Sequence, residues 1–293
     1  MRRVPGCFGN RRGSSSVVNV PEILVASYVA LVACGGEPPI EYCETAAGGD
    51  QLVPLEDLDY VAHAGGSPYG LNQLPSYTNS RQAFDVSYQN GFRAFEFDLI
   101  TLGDGTVVMA HDHHEDHYGL NKSFGESTRA DVEGLRYDGL FEILFAQDLI
   151  DMMVEHPDVW MILDSKWDHE IIAQKLVDLA PNDQVRDRLV PHLASGEHVE
   201  ALEAIYDFPE KMIAVYRWAG GNADIASRRE RYNVDNVMMW WDSRWSPEGQ
   251  ELFEEAGLNV WVHTPHEGEV IESFLDQGIR VYSGGLIGPC LDD

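Results

Sequence analysis

Ala94-Phe95-Glu96-Phe97-Asp98-Leu99 is a short segment in which apolar and acidic residues alternate. Side chains of a β-strand alternate between the two faces of a sheet, so the pattern predicts a strand with both carboxylates on one face. Two acids on a buried face are costly unless a positive group lies between them. A divalent cation with oxygen ligands is a common solution, and the segment therefore predicts a cation site.

The residues that follow this strand predict a hairpin. Asp104-Gly105 is a signal for a tight turn, and Val107-Val108-Met109-Ala110-His111 follows too soon for a crossover helix. We interpret this second run as an arm that extends the loop after the strand. His111 lies just past the arm and, because imidazole can both take up and release a proton, is a candidate general acid or base beside the ion.

Short apolar runs alternate with helical patterns along the rest of the chain. Eight runs are found, at residues 60–63, 92–99, 159–164, 188–191, 212–216, 237–240, 260–263 and 279–282. Helix-like stretches separate them, for example at residues 80–90, 145–155, 169–179, 199–206, 247–256 and 267–277. Such repeats form parallel sheets, and eight units predict an α/β fold, a single-domain TIM (β/α)8 barrel.

Polar residues stand where several of these runs end, which is where TIM barrels carry their functional groups. These residues are His63, Glu96, Asp98, Asp164, Lys166 and His263. Carboxylates from neighbouring strands form an oxygen site that suits one Mg2+ or Ca2+ ion better than Zn2+. A structural alternative stays open, in which Lys166 only neutralises Glu96 or Asp98 in a buried ion pair.

Together these motifs resemble the glycerophosphodiester phosphodiesterase family and its relatives, the phosphatidylinositol-specific phospholipases C and the venom-type sphingomyelinases D. The segments that carry the similarity are His63-Ala64-Gly65, Asn79 with the following helix, Glu96-Phe97-Asp98, Asp104-Gly105, His111-Asp112, Asp164-Ser165-Lys166 and, more weakly, Val262-His263-Thr264 and Val281-Tyr282-Ser283. The resemblance implies a TIM barrel, a divalent cation held by Glu96, Asp98 and Asp164, and a catalytic pair, His63 and His111. Relatives often use a neighbouring substrate hydroxyl as nucleophile.

Two positions depart from the family pattern. Arg usually follows the first His and grips phosphate, whereas this chain has Ala64. The usual Glu-Asn-Thr is replaced by Thr78-Asn79-Ser80. The chain therefore resembles a bacterial branch with His-Ala-Gly-Gly and Tyr-Thr-Asn-Ser patterns, and phosphate binding would fall to the metal and Lys166.

Further substrate-binding residues are predicted from the same motifs and strand ends. The candidates are Asn79 and His263, and Tyr216, Arg217 and Tyr282 are added by position only. Trp240, Trp241, Trp245 and Trp261 could form an aromatic wall for a headgroup, although core packing accounts for most such residues. His113 and His117 would share a helical face and suggest a second metal, with a solvated loop as the favoured alternative.

The first 33 residues indicate export. A basic region precedes an apolar run at residues 23–31, which is too short to span a bilayer as an ordinary helix. Residues 31–36 resemble the lipobox of bacterial lipoproteins, which implies cleavage before Cys34 and acylation of this residue. The alternative is a plain secretory signal with an incidental Cys. Residues 34–57 are predicted to be a flexible tether, and residues 58–293 the barrel domain.

Cysteines and charge limit the environment and the partners. Disulfides persist outside the cytoplasm and chain ends often lie close together, so Cys43 and Cys290 are predicted to be bonded, with two free thiols as the alternative. The net charge of -29 argues against nucleic acid or anionic lipid headgroups as partners.

The sequence thus predicts a monomer of the bacterial cell envelope, lipid-anchored or secreted, whose partners are a small phosphodiester and, through its anchor, the membrane. The resemblance implies a metal-dependent phosphodiester hydrolase that acts on glycerophosphodiester-like substrates by His/His acid-base catalysis. Two alternatives remain, namely a phospholipase C or D that acts on lipid headgroups and a catalytically silent surface binding lipoprotein.

Overall fold

The computed structural model describes residues 51–70, 75–285 and 287–289. The predicted signal segment, most of the predicted tether, and Cys34, Cys43 and Cys290 lie outside the described residues. Among the residues that are described, no helix is both long enough and apolar enough to cross a membrane.

Eight parallel strands form a closed barrel, as the repeat predicts. They are β1 (Tyr60–Ala62), β2 (Ala94–Thr101), β3 (Trp160–Ser165), β4 (Leu189–Leu193), β5 (Met212–Ala214), β6 (Asn236–Trp240), β7 (Asn259–His263) and β8 (Arg280–Ser283). Each strand pairs with its neighbours in sequence, and β1 pairs with both β2 and β8, which closes the barrel. All eight predicted runs are confirmed as barrel strands.

Helices connect these strands around the outside. The longer ones are α1 (Arg81–Gln89), α2 (Ala146–Glu155), α3 (His169–Leu179), α4 (Gly196–Glu203), α5 (Pro247–Glu255) and α6 (Gly268–Leu275). Short helices lie at Arg129–Val132, Asp183–Arg186, Asn222–Ala226 and Arg229–Tyr232, and 3-10 turns at Leu55–Asp57, His63–Gly65, Glu115–Tyr118 and Phe124–Glu126. Five of the six predicted helical stretches match their helices within two residues at each end. The stretch predicted at residues 199–206 is displaced by three residues, because the cap at Ser195 starts α4 at Gly196.

Serine side chains fix where three of these helices begin. The hydroxyls of Ser80, Ser195 and Ser246 accept hydrogen bonds from backbone N–H groups in the first turns of α1, α4 and α5. These caps satisfy N–H groups that have no partner within the helix. They also mark where the connecting segments that follow β1, β4 and β6 end.

Alternation along the strands separates two apolar layers. Ala94, Ile162 and Met212 belong to a buried cluster inside the barrel, to which strands all around it contribute. Phe95 and Phe97 belong to the layer between the sheet and the helices. Because side chains alternate along a strand, Glu96 and Asp98 point the opposite way from Phe95 and Phe97, that is, into the barrel.

The predicted hairpin arm after β2 is confirmed. Val107–Met109 pairs antiparallel with the end of β2, and its far side pairs with Leu144–Phe145. Ala110 continues the ladder by donating its N–H to the backbone oxygen of Asp98 over 3.0 Å. A second small hairpin, Arg136–Tyr137 with Phe141–Glu142, lies in the same excursion. The arm ends where His111 begins, at the carboxyl end of the barrel.

Candidate active site

Three buried carboxylates meet at the carboxyl end of β2 and β3. The two strands run in register, so that Asp98 is paired with Asp164, and Glu96 lies one inward position below Asp98 on β2. One ligand oxygen from each of Glu96, Asp98 and Asp164 lies within 4.8 Å of the other two. Within the described part of the chain this is the one such group of three or more acidic, His or Cys side chains.

Two cationic side chains contact these acids. Lys166 Nζ lies 2.5 Å from Asp98 Oδ1 and 2.6 Å from Asp164 Oδ2. Arg217 Nη1 lies 2.8 Å from Asp164 Oδ1. The ion pair that was the structural alternative for Lys166 therefore exists, with Asp98 and Asp164 rather than with Glu96.

The charges divide the acids into two kinds. Burial opposes ionisation of Asp164, but Lys166, His192 and Arg217 outweigh it and hold its pKa well below the ordinary value. Burial likewise opposes ionisation of Asp98. The positive charge of Lys166 is the strongest effect in the other direction, and the pKa of Asp98 is lowered overall. Two of the acids are thus stable as carboxylates.

Glu96 is the acid whose charge is not compensated. Burial, and then the charges of Asp98 and Asp164, raise its pKa well above the ordinary value. Its Oε2 accepts a hydrogen bond from the Ala64 N–H over 2.8 Å. Its Oε1 is buried and has no hydrogen-bond partner among the described residues. A buried, unpartnered carboxylate oxygen is costly unless a cation or a proton reaches it.

Each of the three carboxylates has an oxygen that could bind a divalent ion. Glu96 supplies a free oxygen, and Asp98 Oδ1 and Asp164 Oδ1 are in ion-pair contact with Lys166 and Arg217 but not in hydrogen-bond geometry. Hard oxygen donors of this kind suit Mg2+ or Ca2+. The three carboxylates can therefore hold a cation.

His63 lies directly after β1, beside Glu96. Its Nε2 is 3.7 Å from Glu96 Oε2. Burial lowers the pKa of His63 to about 4, against the opposing effect of Asp98. The ring is therefore neutral near pH 7 and can take up a proton when the surroundings supply negative charge.

The two glycines after Ala64 allow this close approach. Gly65 has φ +79 and Gly66 has φ +92, in the left-handed region that favours glycine. A Cβ on Gly65 would lie 2.8 Å from Phe97 Cε1. The His-Ala-Gly-Gly segment thus packs its backbone against β2, next to the acids.

Thr264 is the residue that holds the His63 ring. Its hydroxyl lies 2.8 Å from His63 Nδ1 and 3.1 Å from His263 Nδ1. The Tyr77 ring packs edge-on against His63 with the ring centroids 4.8 Å apart. Thr264 was not predicted to have a role beyond its place in a weak motif.

His111 stands at the open side of the site. Its backbone follows the residue that pairs with Asp98, and its Nδ1 is 2.8 Å from Asp112 Oδ1. Its charge lowers the pKa of both His63 and Asp98, which reflects its proximity to them. The side chain is 41% exposed, so His111 can exchange protons with solvent.

The neighbouring histidines do not form a second metal site. His113 is almost fully exposed and has a left-handed backbone, so it is not helical. His117 instead pairs with Asp138, and 3.0 Å separates His117 Nδ1 from Asp138 Oδ1. The alternative of a solvated loop with one short 3-10 turn describes this segment.

Asn79 contacts an acid rather than open space. Its side chain forms two hydrogen bonds with Asp98, one to the carboxylate and one from the backbone N–H. It is 1% exposed. This residue, predicted from its motif to bind substrate, lies where it orients Asp98.

Another buried partner, His192, was missed by the sequence analysis. Its Nδ1 is 3.5 Å from Asp164 Oδ1, and its Nε2 is 3.1 Å from the Tyr282 hydroxyl. Tyr282 in turn donates to Met212 Sδ over 2.9 Å. His192 directly follows the predicted fourth run, residues 188–191. It would have been found if polar residues one position beyond each run had also been taken as candidates.

The four tryptophans serve different purposes. Trp240 is 46% exposed and stacks on Tyr216 with the ring centroids 5.2 Å apart, at the edge of the site. Trp261 is fully buried inside the barrel. Trp241 and Trp245 pack against the layer between sheet and helices. Only Trp240 of the predicted aromatic wall therefore faces the site.

Solved structures share this architecture along most of the chain. A protein from Galdieria sulphuraria assigned as a glycerophosphodiester phosphodiesterase superposes with a TM-score of 0.67, 18% identity, and coverage of 82% of this chain and 97% of that chain. The chain has the fold of the glycerophosphodiester phosphodiesterases. No protein-family model matches the sequence.

Two further solved structures, a glycerophosphodiester phosphodiesterase and a phosphodiesterase, share the fold. The enzyme from Thermotoga maritima has a TM-score of 0.58 and 16% identity, and covers 78% of this chain and 95% of its own. A phosphodiesterase from Oleispira antarctica, solved with the product sn-glycerol-3-phosphate, has a TM-score of 0.62 and 14% identity, and covers 80% of this chain and 97% of its own. The glycerophosphodiester phosphodiesterase fold predicted from the motifs is confirmed.

Proposed function

We propose that this protein is a metal-dependent phosphodiester hydrolase. The observation that carries the proposal is the cluster of Glu96, Asp98 and Asp164, whose ligand oxygens lie within 4.8 Å of one another beside His63. The fold shared with glycerophosphodiester phosphodiesterases supports the same conclusion, because in that fold chemistry occurs at the carboxyl ends of the strands.

The three carboxylates would hold one Mg2+ or Ca2+ ion. Such an ion would polarise a phosphoryl oxygen and offset the negative charge of the diester. The neutral ring of His63 and the more exposed ring of His111 flank the carboxylates and would exchange protons with the attacking and leaving oxygens. Lys166 would keep Asp98 and Asp164 ionised and so ready to bind the cation.

Substrates of the glycerophosphodiester class are the first to test, since one similar structure contains sn-glycerol-3-phosphate as product. The experiment is a screen of glycerophosphodiesters and bis(p-nitrophenyl) phosphate with each divalent ion and with chelator. We expect cleavage that needs the ion and stops when it is removed. Absence of cleavage of any diester with any ion would contradict the proposal and favour a silent binding protein.

Paired variants localise the activity. Asp98→Asn should abolish metal-dependent cleavage, whereas Asp178→Asn on the exposed face of α3 should not. His111→Ala should reduce cleavage at least about a hundredfold, whereas His113→Ala, almost fully exposed in the same loop, should not. Circular dichroism of all four variants checks that the fold is retained. Full activity in Asp98→Asn or His111→Ala would refute the assignment.

Activity on lipid headgroups is the second candidate. The exposed ring of Trp240, stacked on Tyr216 at the edge of the site, favours it because aromatic side chains suit a surface that is part apolar. The net charge of -29 opposes contact with anionic lipid. Cleavage rates for glycerophosphocholine, lysophospholipid and sphingomyelin vesicles separate the two candidates, since a soluble-diester hydrolase should prefer the first.

Export and lipid anchoring complete the proposal. They rest on the basic and apolar pattern of residues 1–33 and on the lipobox-like residues around Cys34. Cys34→Ala should move the protein from the membrane to the soluble fraction of the cell envelope. A membrane fraction unchanged by that substitution would argue against the anchor. The Cys43 to Cys290 disulfide and the monomeric state stay predictions.

A further inference from the structure

We propose that Arg217 anchors the phosphate group of the substrate, an inference that rests on the proposed phosphodiester hydrolase function. In the amino-acid sequence, Arg217 stands out only by its position directly after the fifth apolar run. Its contacts with the acidic cluster, its exposure and the charge balance of the site support this role.

Arg217 is held in position without using all of its donors. Nη1 contacts Asp164 Oδ1 at 2.8 Å and donates to the backbone oxygen of Ser165 over 3.2 Å, and Nη2 donates to Asp164 Oδ2 over 3.3 Å. A guanidinium has five N–H groups in a fixed fork. Nε and the second hydrogen of Nη2 have no partner in the part of the chain that the structure describes, so Arg217 can still bind an anion.

Exposure distinguishes Arg217 from the other cation. The Lys166 side chain is 8% exposed and its ammonium lies between Asp98 and Asp164. The Arg217 side chain is 24% exposed, three times the exposed fraction of Lys166. At the β1 side Ala64 offers only its backbone N–H, which is already bonded to Glu96. Arg217 is therefore the cation that an entering phosphate can reach.

The charge balance also requires it. Glu96, Asp98 and Asp164 can carry three negative charges, and Lys166 and Arg217 carry two positive ones. With a divalent ion the site would have one net positive charge, which matches the single negative charge of a phosphodiester. Without Arg217 the filled site would be neutral, and the buried diester charge would be uncompensated. The surrounding acidic surface, with a net charge of -29, makes a local cation more necessary.

Inorganic phosphate is the probe for the test, because its binding is measurable whether or not any diester is cleaved. Calorimetric titration of the full chain, with and without Mg2+ or Ca2+, compares the wild type with Arg217→Gln and Arg217→Lys. We expect Gln to weaken phosphate binding by about tenfold to hundredfold and Lys to restore part of it, since Lys keeps the charge but not the fork. The control is Arg231→Gln, which removes the same charge from an exposed pair with Glu200 and should change nothing.

Kinetics and metal titration distinguish two roles of Arg217, namely binding the phosphate of the substrate and only positioning Asp164. At saturating metal, Arg217→Gln should raise KM for bis(p-nitrophenyl) phosphate and the inhibition constant of phosphate, with metal affinity unchanged. If metal affinity falls while phosphate affinity at saturating metal stays at the wild-type value, Arg217 only positions Asp164 and the inference is wrong.

The two proposals fail in different ways. Equal phosphate binding by the wild type and Arg217→Gln, or no phosphate binding by a wild type that cleaves diesters, overturns the role of Arg217 and leaves the hydrolase function intact. Phosphate binding that depends on Arg217 in a protein that cleaves no diester supports the anchor and refutes the hydrolase function.

Discussion

Asn79 and Asp98 are joined by two reciprocal hydrogen bonds. Asn79 Nδ2 donates to Asp98 Oδ2 over 2.8 Å, and the Asp98 N–H donates to Asn79 Oδ1 over 2.9 Å. The first bond fixes one carboxylate oxygen, and the second ties the loop before α1 to β2. Asn79 therefore orients a proposed metal ligand, and partners of this kind are often as important to a metal site as the ligands themselves.

We expect Asn79→Ala to lower the affinity for Mg2+ or Ca2+ by about tenfold to hundredfold, because Asp98 would lose its orientation. Isothermal titration of the ion measures this. Asn236→Ala is the matched control: Asn236 is equally buried at the other end of the barrel, where it bonds Glu210 and Trp261. Both substitutions should cost stability, and only the first should cost metal affinity. Equal metal affinity in the two variants would contradict the role of Asn79.

A second prediction concerns Thr264 and the ring of His63. Thr264→Val keeps the shape but removes the hydroxyl that lies 2.8 Å from His63 Nδ1. We expect kcat to fall by about tenfold or more at saturating metal, since the ring would no longer be held for proton transfer. Thr264→Ser restores the hydroxyl and should recover most of the activity. Metal affinity should not change in either variant. A lower metal affinity in Thr264→Val would show that Thr264 supports the metal site rather than the His63 ring.

A third prediction tests the close packing after His63. Gly65 and Gly105 both have φ near +80, but a Cβ on Gly105 would contact nothing within 4 Å, whereas one on Gly65 would lie 2.8 Å from Phe97. Gly105→Ala should therefore cost about 1 kcal/mol of unfolding free energy, for the left-handed backbone alone. Gly65→Ala should cost about 3 kcal/mol, because overpacking is added. Urea denaturation measures both, and equal losses would contradict the contact with Phe97.

The fourth prediction concerns stability and pH. Burial, and next the charge of His198, lower the pKa of His169 to about 4, from an ordinary value of 6.5. Between pH 6.5 and 4 the unfolded chain binds a proton that the folded protein does not. The stability that depends on a neutral His169 ring is therefore fully present above pH 6.5 and is lost as the pH falls toward 4.

Replacement of His169 by Gln should reduce this loss. The residue is partly exposed, so solvent screening limits the effect to about 1 kcal/mol at pH 4 to 5. Unfolding free energies of wild type and His169→Gln, measured by urea denaturation from pH 4 to 8, should change in parallel above pH 7. They should diverge below pH 6.5, with the variant losing less. Parallel behaviour over the whole range would contradict the lowered pKa.

Local patterns in the sequence were enough to predict the barrel. Each strand is a short apolar run, and its side-chain alternation, visible in residues 94–99, also predicts which residues point inward. Because parallel strands align their carboxyl ends, the inward polar residues of β2 and β3 had to meet. The fold and the acidic cluster around Glu96 and Asp98 follow from these two rules.

Pairings between distant residues could not be predicted in this way. Thr264 contacts His63 from 201 residues away, and Arg217 reaches Asp164 across 53 residues. Whether Lys166 pairs with Asp98 or with Glu96 depends on distances of a few ångströms, which side-chain packing alone sets. No local pattern carries that information.

The amino-acid sequence by itself therefore determined the closed barrel, the inward direction of its acids and their position at one end, because all three arise from alternation and repeat. The tertiary structure decided which cation neutralises which acid, which hydroxyl holds His63, and that Glu96 keeps an oxygen without a partner. These properties depend on where the barrel brings separate strands and loops together, since ion pairing and hydrogen bonding act only over a few ångströms.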